Sequence, residues 1–213
     1  MRKEHVFNET VKLDATTNRI EAFSDGVFAI VMTLLVLELA VPVLNAPPSE
    51  QEARKALLEL VPKFISYVLS FLIVAIYWVN HHQFFLSLKR SDPVLLWLNI
   101  HLLFWVSFIP FPTAFIGEYY TLKTGVILFA VVNFMGSVAF YMMQHYSHFR
   151  GKLHKGISEE LRMFLIRKSL IGPLFYGISV AAAFYNERIS IAIFFIVPLI
   201  YFMPKEFLKP DES

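Results

Sequence analysis

Six apolar runs, separated by polar breaks, organise this chain. The first, Arg19 to Val41, opens on a charged and polar head. It then turns almost wholly apolar, with only Thr33 and Glu38 polar between Gly26 and Val41. The others cover about 64–85, 94–117, 125–146, 164–185 and 189–203, the last being the shortest. A helix needs roughly 20 apolar residues to cross the hydrocarbon core, so runs of this kind predict membrane helices. The breaks carry the expected punctuation. Pro42 ends the first run, and residues 45–59, with Pro47-Pro48 and several charges, form a polar connection closing in a short amphipathic helix. Lys89-Arg90-Ser91-Asp92-Pro93 makes a tight basic turn, Pro110 and Pro112 bend or stop the third run, and Pro173 sits inside the fifth. The pattern predicts an all-α polytopic membrane protein of six transmembrane helices over 19–203, with a polar N-terminus at 1–18 and a charged tail at 204–213. The head of the first helix has no second copy, so the unit is not internally repeated.

Composition agrees. Of 213 residues, 56% are hydrophobic and only 17% charged, where a soluble domain carries about a quarter charged residues. The N-terminal stretch lacks the apolar core of a cleavable signal, so the first helix is its own insertion signal. Counting Lys and Arg across six spans places fourteen of the 19 on the side holding the N-terminus, the second–third and fourth–fifth loops and the tail. Both termini then face the cytoplasm of a cell-membrane protein, with Lys152 and Lys155 acting as topology determinants. A net charge of +2 with no basic stripe argues against nucleic acid. Cys is absent, which excludes disulfides, thiolate metal sites and cysteine catalysis.

Stepping about 100° per residue places Arg19, Phe23, Val27, Ile30, Leu34, Leu37 and Val41 within about 60° of one line along the first helix. Thr33 lies about 60° from Ile30, while Ser24 and Asp25 fall about 120° and 140° away. Periodicity alone reads such a stripe as helix-packing surface. A second reading opens if several copies gather this helix around an axis. Rings of Ile30, Leu34 and Leu37 then form an apolar neck that gates by dewetting, with Thr33 near enough to touch a hydrated ion. A Thr-Val-Gly-Tyr-Gly carbonyl filter is absent.

Polar residues inside the first three runs include Asp25, Glu38, Asn80, His81, His82, Asn99 and His101. Each is costly in a bilayer and calls for a protein or water partner. Trp78 shares a face of the second helix with His81 and His82, and His101 lies four residues from Trp105. A proton relay through Asp25 and the histidines is one reading. A metal site is disfavoured, because membrane metalloenzymes need denser His/Asp/Glu clusters. The third reading is structural: Arg19, Ser24 and Asp25 bond to Trp78, to His81 or His82, and to Asn99 and His101, fixing the tilt of the first helix. Glu38, near the outer end, suits a headgroup-level or interface residue or an outer cation attractor.

Arg19 followed by Phe23-Ser24-Asp25, then Gly-Val-Phe-Ala-Ile and Thr-Leu-Leu, resembles the RxxxFSD signature of the transmembrane protein 175 family, the endosomal and lysosomal potassium channels with their prokaryotic members. The Tyr-Trp-Val-Asn-His-His and Asn99…His101…Phe108-Ile-Pro-Phe-Pro-Thr stretches resemble it more weakly. The resemblance implies a six-helix subunit of the single-copy prokaryotic type, assembled as a homotetramer with the first helix lining a central pore. It implies a constriction at Ile30, five residues after Asp25, extended by Leu34 and Leu37. It also implies a structural role for the RxxxFSD head, and conduction of potassium with modest selectivity over sodium.

No nucleophile–base set, phosphate loop or zinc-protease motif is present, so the chain reads as a non-enzyme without cofactor or resident metal. Its expected partners are its own copies, the lipid bilayer, and potassium with other monovalent cations. The expected function is a potassium-permeable cation channel gated and filtered by an apolar constriction in helix one. The alternatives are a proton-coupled secondary transporter using Asp25 and the histidines, and a non-conducting scaffold.

Overall fold

Proline decides where the long apolar runs bend. The structure, a computed structural model, describes residues 17–47, 49–120, 122–153 and 158–202. Among them are nine helices: α1 (Thr17–Val36), α2 (Glu50–Glu59), α3 (Val61–Ser87), α4 (Pro93–Phe108), α5 (Pro110–Glu118), α6 (Lys123–Phe149), α7 (Glu159–Ser169), α8 (Ile171–Tyr185) and α9 (Glu187–Phe202). Most of the N-terminal segment expected at 1–18, Lys155, and the tail at 204–213 lie outside the described residues.

Three pairs of helices are joined through a single αR residue: Leu60 between α2 and α3, Ile109 between α4 and α5, and Leu170 between α7 and α8. Pro62, Pro110 and Pro173 follow these joints within three residues. A proline brings no N–H to the carbonyl four residues back, and its ring crowds that carbonyl, so the helix bends there instead of ending. The run expected at 94–117 is thus two helices with one axis change. The run expected at 164–185 begins earlier, at Glu159, because Ser158 caps the start by accepting from Leu161 N–H at 3.2 Å. The helix inside the 45–59 connection is α2, whose Ser49 cap accepts from Glu52 N–H at 3.2 Å.

The first helix ends sooner than its apolar pattern suggests, at Val36 rather than Val41. Leu37, Glu38 and Leu39 turn back onto the carbonyls three residues earlier, and the chain is extended before Pro42, as the proline ring requires of the residue preceding it. Leu37 therefore sits in a turn beyond the α-helix.

Four stretches are long and apolar enough to cross a membrane: Val61–Ser87, Pro93–Glu118, Lys123–Phe149 and Glu159–Tyr185. Neither α1, with Arg19, Glu21 and Asp25 in its first half, nor the shorter α9 is among them. The centre is α6, which packs on α4 and α8 and buries Phe129, Ala130 and Met143. Gly172 lets α8 approach α6 closely; a Cβ there would stand 2.7 Å from the Cβ of Ser137.

One end of the bundle is latched by Asp92. Its Oδ1 accepts from Leu95 N–H at 2.8 Å and so caps α4. Its Oδ2 accepts from the Tyr146 hydroxyl at 2.9 Å and meets the Lys152 ammonium at 2.6 Å. Lys89 N–H donates to the Lys152 carbonyl at 2.8 Å, so the α3–α4 and α6–α7 connections are held together. Desolvation alone would raise the Asp92 pKa. The Lys152 ammonium, the Leu95 N–H and the Tyr146 hydroxyl outweigh it and hold the carboxyl below its ordinary range. A carboxyl depressed in the folded state stabilises it above the unfolded pKa of about 4 and loses that contribution as pH falls through the lower folded value. Asp92→Asn keeps an acceptor for the cap but not the charge. It should lower the thermal midpoint in detergent at pH 7 by a few degrees, about 1 kcal/mol. The gap from the native chain should close on acidification. Equal melting at neutral pH would show that the latch contributes nothing.

Candidate pore helix and its tether

Two faces of α1 have opposite fates. Ile20, Ser24, Phe28, Val31 and Leu35 recur every three or four residues and are buried, Phe28 at 1% and Leu35 at 0% exposure. The stripe through Phe23, Ile30, Leu34 and Leu37 is left open: Ile30 is 60% exposed, Leu34 43% and Leu37 71%. Arg19 and Thr33 lie open with it, and Val27 is partly buried. The stripe is therefore not packing surface within the subunit. Thr33 Oγ1 donates back to the carbonyls of Ile30 at 2.8 Å and Ala29 at 3.1 Å, which satisfies the hydroxyl inside the helix.

The buried face is fixed by a directed chain of hydrogen bonds. His81 Nε2 lies 2.9 Å from Asn99 Oδ1, Asn99 Nδ2 donates to Ser24 Oγ at 3.0 Å, and Ser24 Oγ donates to the Ile20 carbonyl at 2.8 Å. Asn99 uses its amide hydrogen on Ser24, so its oxygen must accept, and His81 carries the Nε2 hydrogen. Ser24, His81 and Asn99 are all wholly buried. The His81 ring stacks on Phe85 at 4.3 Å and meets Phe28 edge-on at 5.3 Å. Its Nδ1 has no partner among the described residues.

Two outer contacts flank this chain. Trp78 Nε1–H donates to Asp25 Oδ1 at 2.9 Å, and His82 Nδ1 lies 3.2 Å from Glu21 Oε1. Trp78 and His82 stack at 5.9 Å. The structure thus brings together Ser24, Asp25, Trp78, His81 and Asn99, and separates the adjacent histidines into different roles. Three residues expected in the network stand outside it. Arg19 makes no hydrogen bond or ion pair among the described residues and is exposed, Phe23 points outward, and His101 packs edge-on to Trp105 at 6.4 Å. Glu21 was missed by the sequence reading; its position four residues before Asp25, on one side of α1, was the available signal.

No hydrogen bond joins Asp25 directly to a histidine among the described residues. No cluster of three His, Cys, Asp or Glu residues suits a metal among them either. Past the end of α1, Glu38 lines a cleft of about 410 Å³ with Phe111, Thr113 and Tyr119. Lys63 and Glu118 pair with each other there, leaving Glu38 without an ion pair among the described residues.

Comparison with known proteins gives a consistent answer. The family described as endosomal/lysosomal potassium channel TMEM175 matches residues 19–110, which run from α1 through α4. The chain is similar to a potassium channel of Chryseobacterium sp. (strain P1-3), 34% identical over 193 residues, covering 89% of this chain and 94% of that protein. It is 25% identical over 190 residues to the human endosomal/lysosomal proton channel TMEM175, of which it covers 36%. Its fold is similar to the crystal structure of a lysosomal potassium-selective channel TMEM175 homolog from Chamaesiphon minutus, with a TM-score of 0.74 at 30% identity over 88% of this chain and 96% of that one.

The geometry ranks three substitutions. Asn99→Ala orphans His81 Nε2 and removes the donor to Ser24, at a cost of about 2 kcal/mol. Ser24→Ala removes one acceptor, at about 1 kcal/mol. Asp25→Asn keeps an oxygen for Trp78 and should be the mildest. Thermal unfolding of the detergent complex gives the order, and a milder Asn99→Ala than Asp25→Asn would contradict the tether.

Proposed function

The chain belongs to the TMEM175 family of endosomal/lysosomal potassium channels, and from that premise we propose that it is a potassium-permeable cation channel whose pore wall is the open stripe of α1. The family is one of channels, not of enzymes. In this reading six segments span the membrane: α1, α3, α4 with α5, α6, α7 with α8, and α9. Both termini face the cytoplasm, and four copies assemble around a central axis.

The observation that carries the proposal is the exposure of Ile30 and Leu34 while Phe28 and Leu35, on the opposite face of the same helix, are buried. A lipid-facing stripe would be just as apolar. What favours an axis of copies is the helix's polar head, which carries the RxxxFSD signature, and a tether that sets the helix's rotation from within the subunit. Four such helices would bring Ile30, Leu34 and Leu37 into stacked apolar rings. In a narrow apolar neck water is not held, and an ion cannot shed its shell without oxygen atoms to replace it, so the neck closes by drying. Widening lets a partly hydrated monovalent cation through. Thr33 keeps its hydroxyl on the backbone while its oxygen retains capacity to accept from a water beside the neck. No cofactor enters this scheme; potassium is the permeant ion.

Ile30→Asn should raise potassium flux in proteoliposomes several-fold and lower the preference for potassium over sodium, while Ile30→Ala should do the same more weakly. The detergent complex should weigh about four protomers in both. Native flux and selectivity in a correctly assembled Ile30→Asn complex would assign the pore wall to another surface.

A further inference from the structure

Away from α1, two adjoining cavities run into the body of the subunit between α3, α6, the α7–α8 joint and α9. The inner one, about 30 Å³, is lined by Tyr77, Ser137 and Tyr176 among others. The outer one, about 10 Å³, is lined by Gln83, Gln144 and Lys168 among others. Asn80, Phe140, Ser169 and Tyr201 line both, so they form one crevice. Gln83 is exposed and marks the mouth, at the end of the bundle that carries the Asp92 latch. The far end is shut by Phe194 and Phe129, both wholly buried, whose rings lie 4.7 Å apart with Tyr176 6.5 Å from Phe194.

One side-chain oxygen on this crevice lacks a partner, and one turn beside it lacks its usual helical donor. Gln144, only 8% exposed, has an Oε1 with no hydrogen bond among the described residues. The Ser169 carbonyl faces a missing donor, because Pro173 has no N–H to return to it. The neighbouring Lys168 carbonyl is served at 3.3 Å by the Tyr201 hydroxyl, which shows that the broken turn is capped from inside the crevice. A buried acceptor left without a partner destabilises the fold. By the measure that one water needs roughly 10–15 Å³, the crevice holds about three.

We infer that this crevice, bounded by the unpaired Gln144 carbonyl and the Pro173-broken turn at Ser169, is a binding site for a short file of ordered water, entered at Gln83 and closed at Phe194. The water completes the hydrogen bonding of the α7–α8 joint, so the bend is a hydrated one rather than a dry one. The file is a dead end and carries no ion across. It stands independently of the pore reading, since none of its residues lies on α1.

The test is X-ray hydroxyl-radical footprinting of the full-length chain in proteoliposomes, with water as the only probe. Radicals born from bound water label the nearest side chains even when these are buried. Phe140 and Phe129 make a matched pair, being the same residue type, both buried, on one helix. Phe140 should be labelled at least tenfold faster than Phe129, and Tyr176 faster than Phe194. Equal background labelling of Phe140 and Phe129 overturns the site. Gln144→Leu removes the unpaired oxygen at similar size. It should cut Phe140 labelling several-fold while potassium flux and complex mass stay native, and unchanged labelling in that variant would overturn the role given to Gln144.

Discussion

The orientation of α1 depends on a chain of three buried hydrogen bonds, from His81 through Asn99 and Ser24 to the Ile20 carbonyl. In water such a chain would be replaceable, because solvent would satisfy each member. In a bilayer it is not, since hydrocarbon offers no partner and the alternative is an orphaned polar group. The chain is also directional. It starts on α3, turns through a side chain of α4 and finishes on the backbone of α1, so it fixes both the rotation of α1 and its height along its own axis. A one-residue slip of α1 would carry Ser24 about 100° around the helix, away from Asn99.

Apolar packing could not do this alone. Lipid tails are as apolar as Leu or Ile, so burial gives little preference for one face of a membrane helix over another. Both faces of α1 are largely apolar, and what distinguishes them is that the Ser24 hydroxyl is bonded to a neighbouring helix whereas the Thr33 hydroxyl on the open side bonds only its own backbone. The outer contacts, Trp78 with Asp25 and His82 with Glu21, then guard the same rotation from the helix's polar end. Because the inward face is set by polar groups, the outward stripe is free to be shaped by whatever stands beyond the subunit.

This explains what could and could not be read from the residues alone. Four of the six expected spans meet the length and apolarity of a membrane crossing, and the α4–α5 bend followed from Pro110. The bends at Leu60 and Leu170 were not legible as bends, because a helix continuing through a single αR residue leaves the same apolar pattern as an unbroken one. The early end of α1, where Leu37 to Leu39 bond three residues back, leaves no mark in the periodicity. Ser24, Asp25, Trp78, His81 and Asn99 were legible as candidates, but Arg19, Phe23 and His101 were expected with them and Glu21 was not. The pairing was not legible. His81 and His82 sit 100° apart on α3, and only the position of α4 decides which one meets Asn99. His101 was expected in the network beside Asn99, yet it packs on Trp105 instead.

The same rule of satisfaction sorts water within the bundle. Along the α1 stripe the polar groups are few and self-sufficient: Thr33 bonds its own backbone, and Ile30 and Leu34 offer nothing. A ring built of such residues gives water no reason to stay, so drying costs little and wetting requires width. In the body of the subunit the balance is reversed. Gln144 presents an acceptor without a partner among the described residues, beside a turn that Pro173 deprives of its helical donor, and drying that crevice would leave the Gln144 oxygen bare. In the proposed assembly the α1 neck and the proposed crevice would therefore take opposite states, because of what their walls still need.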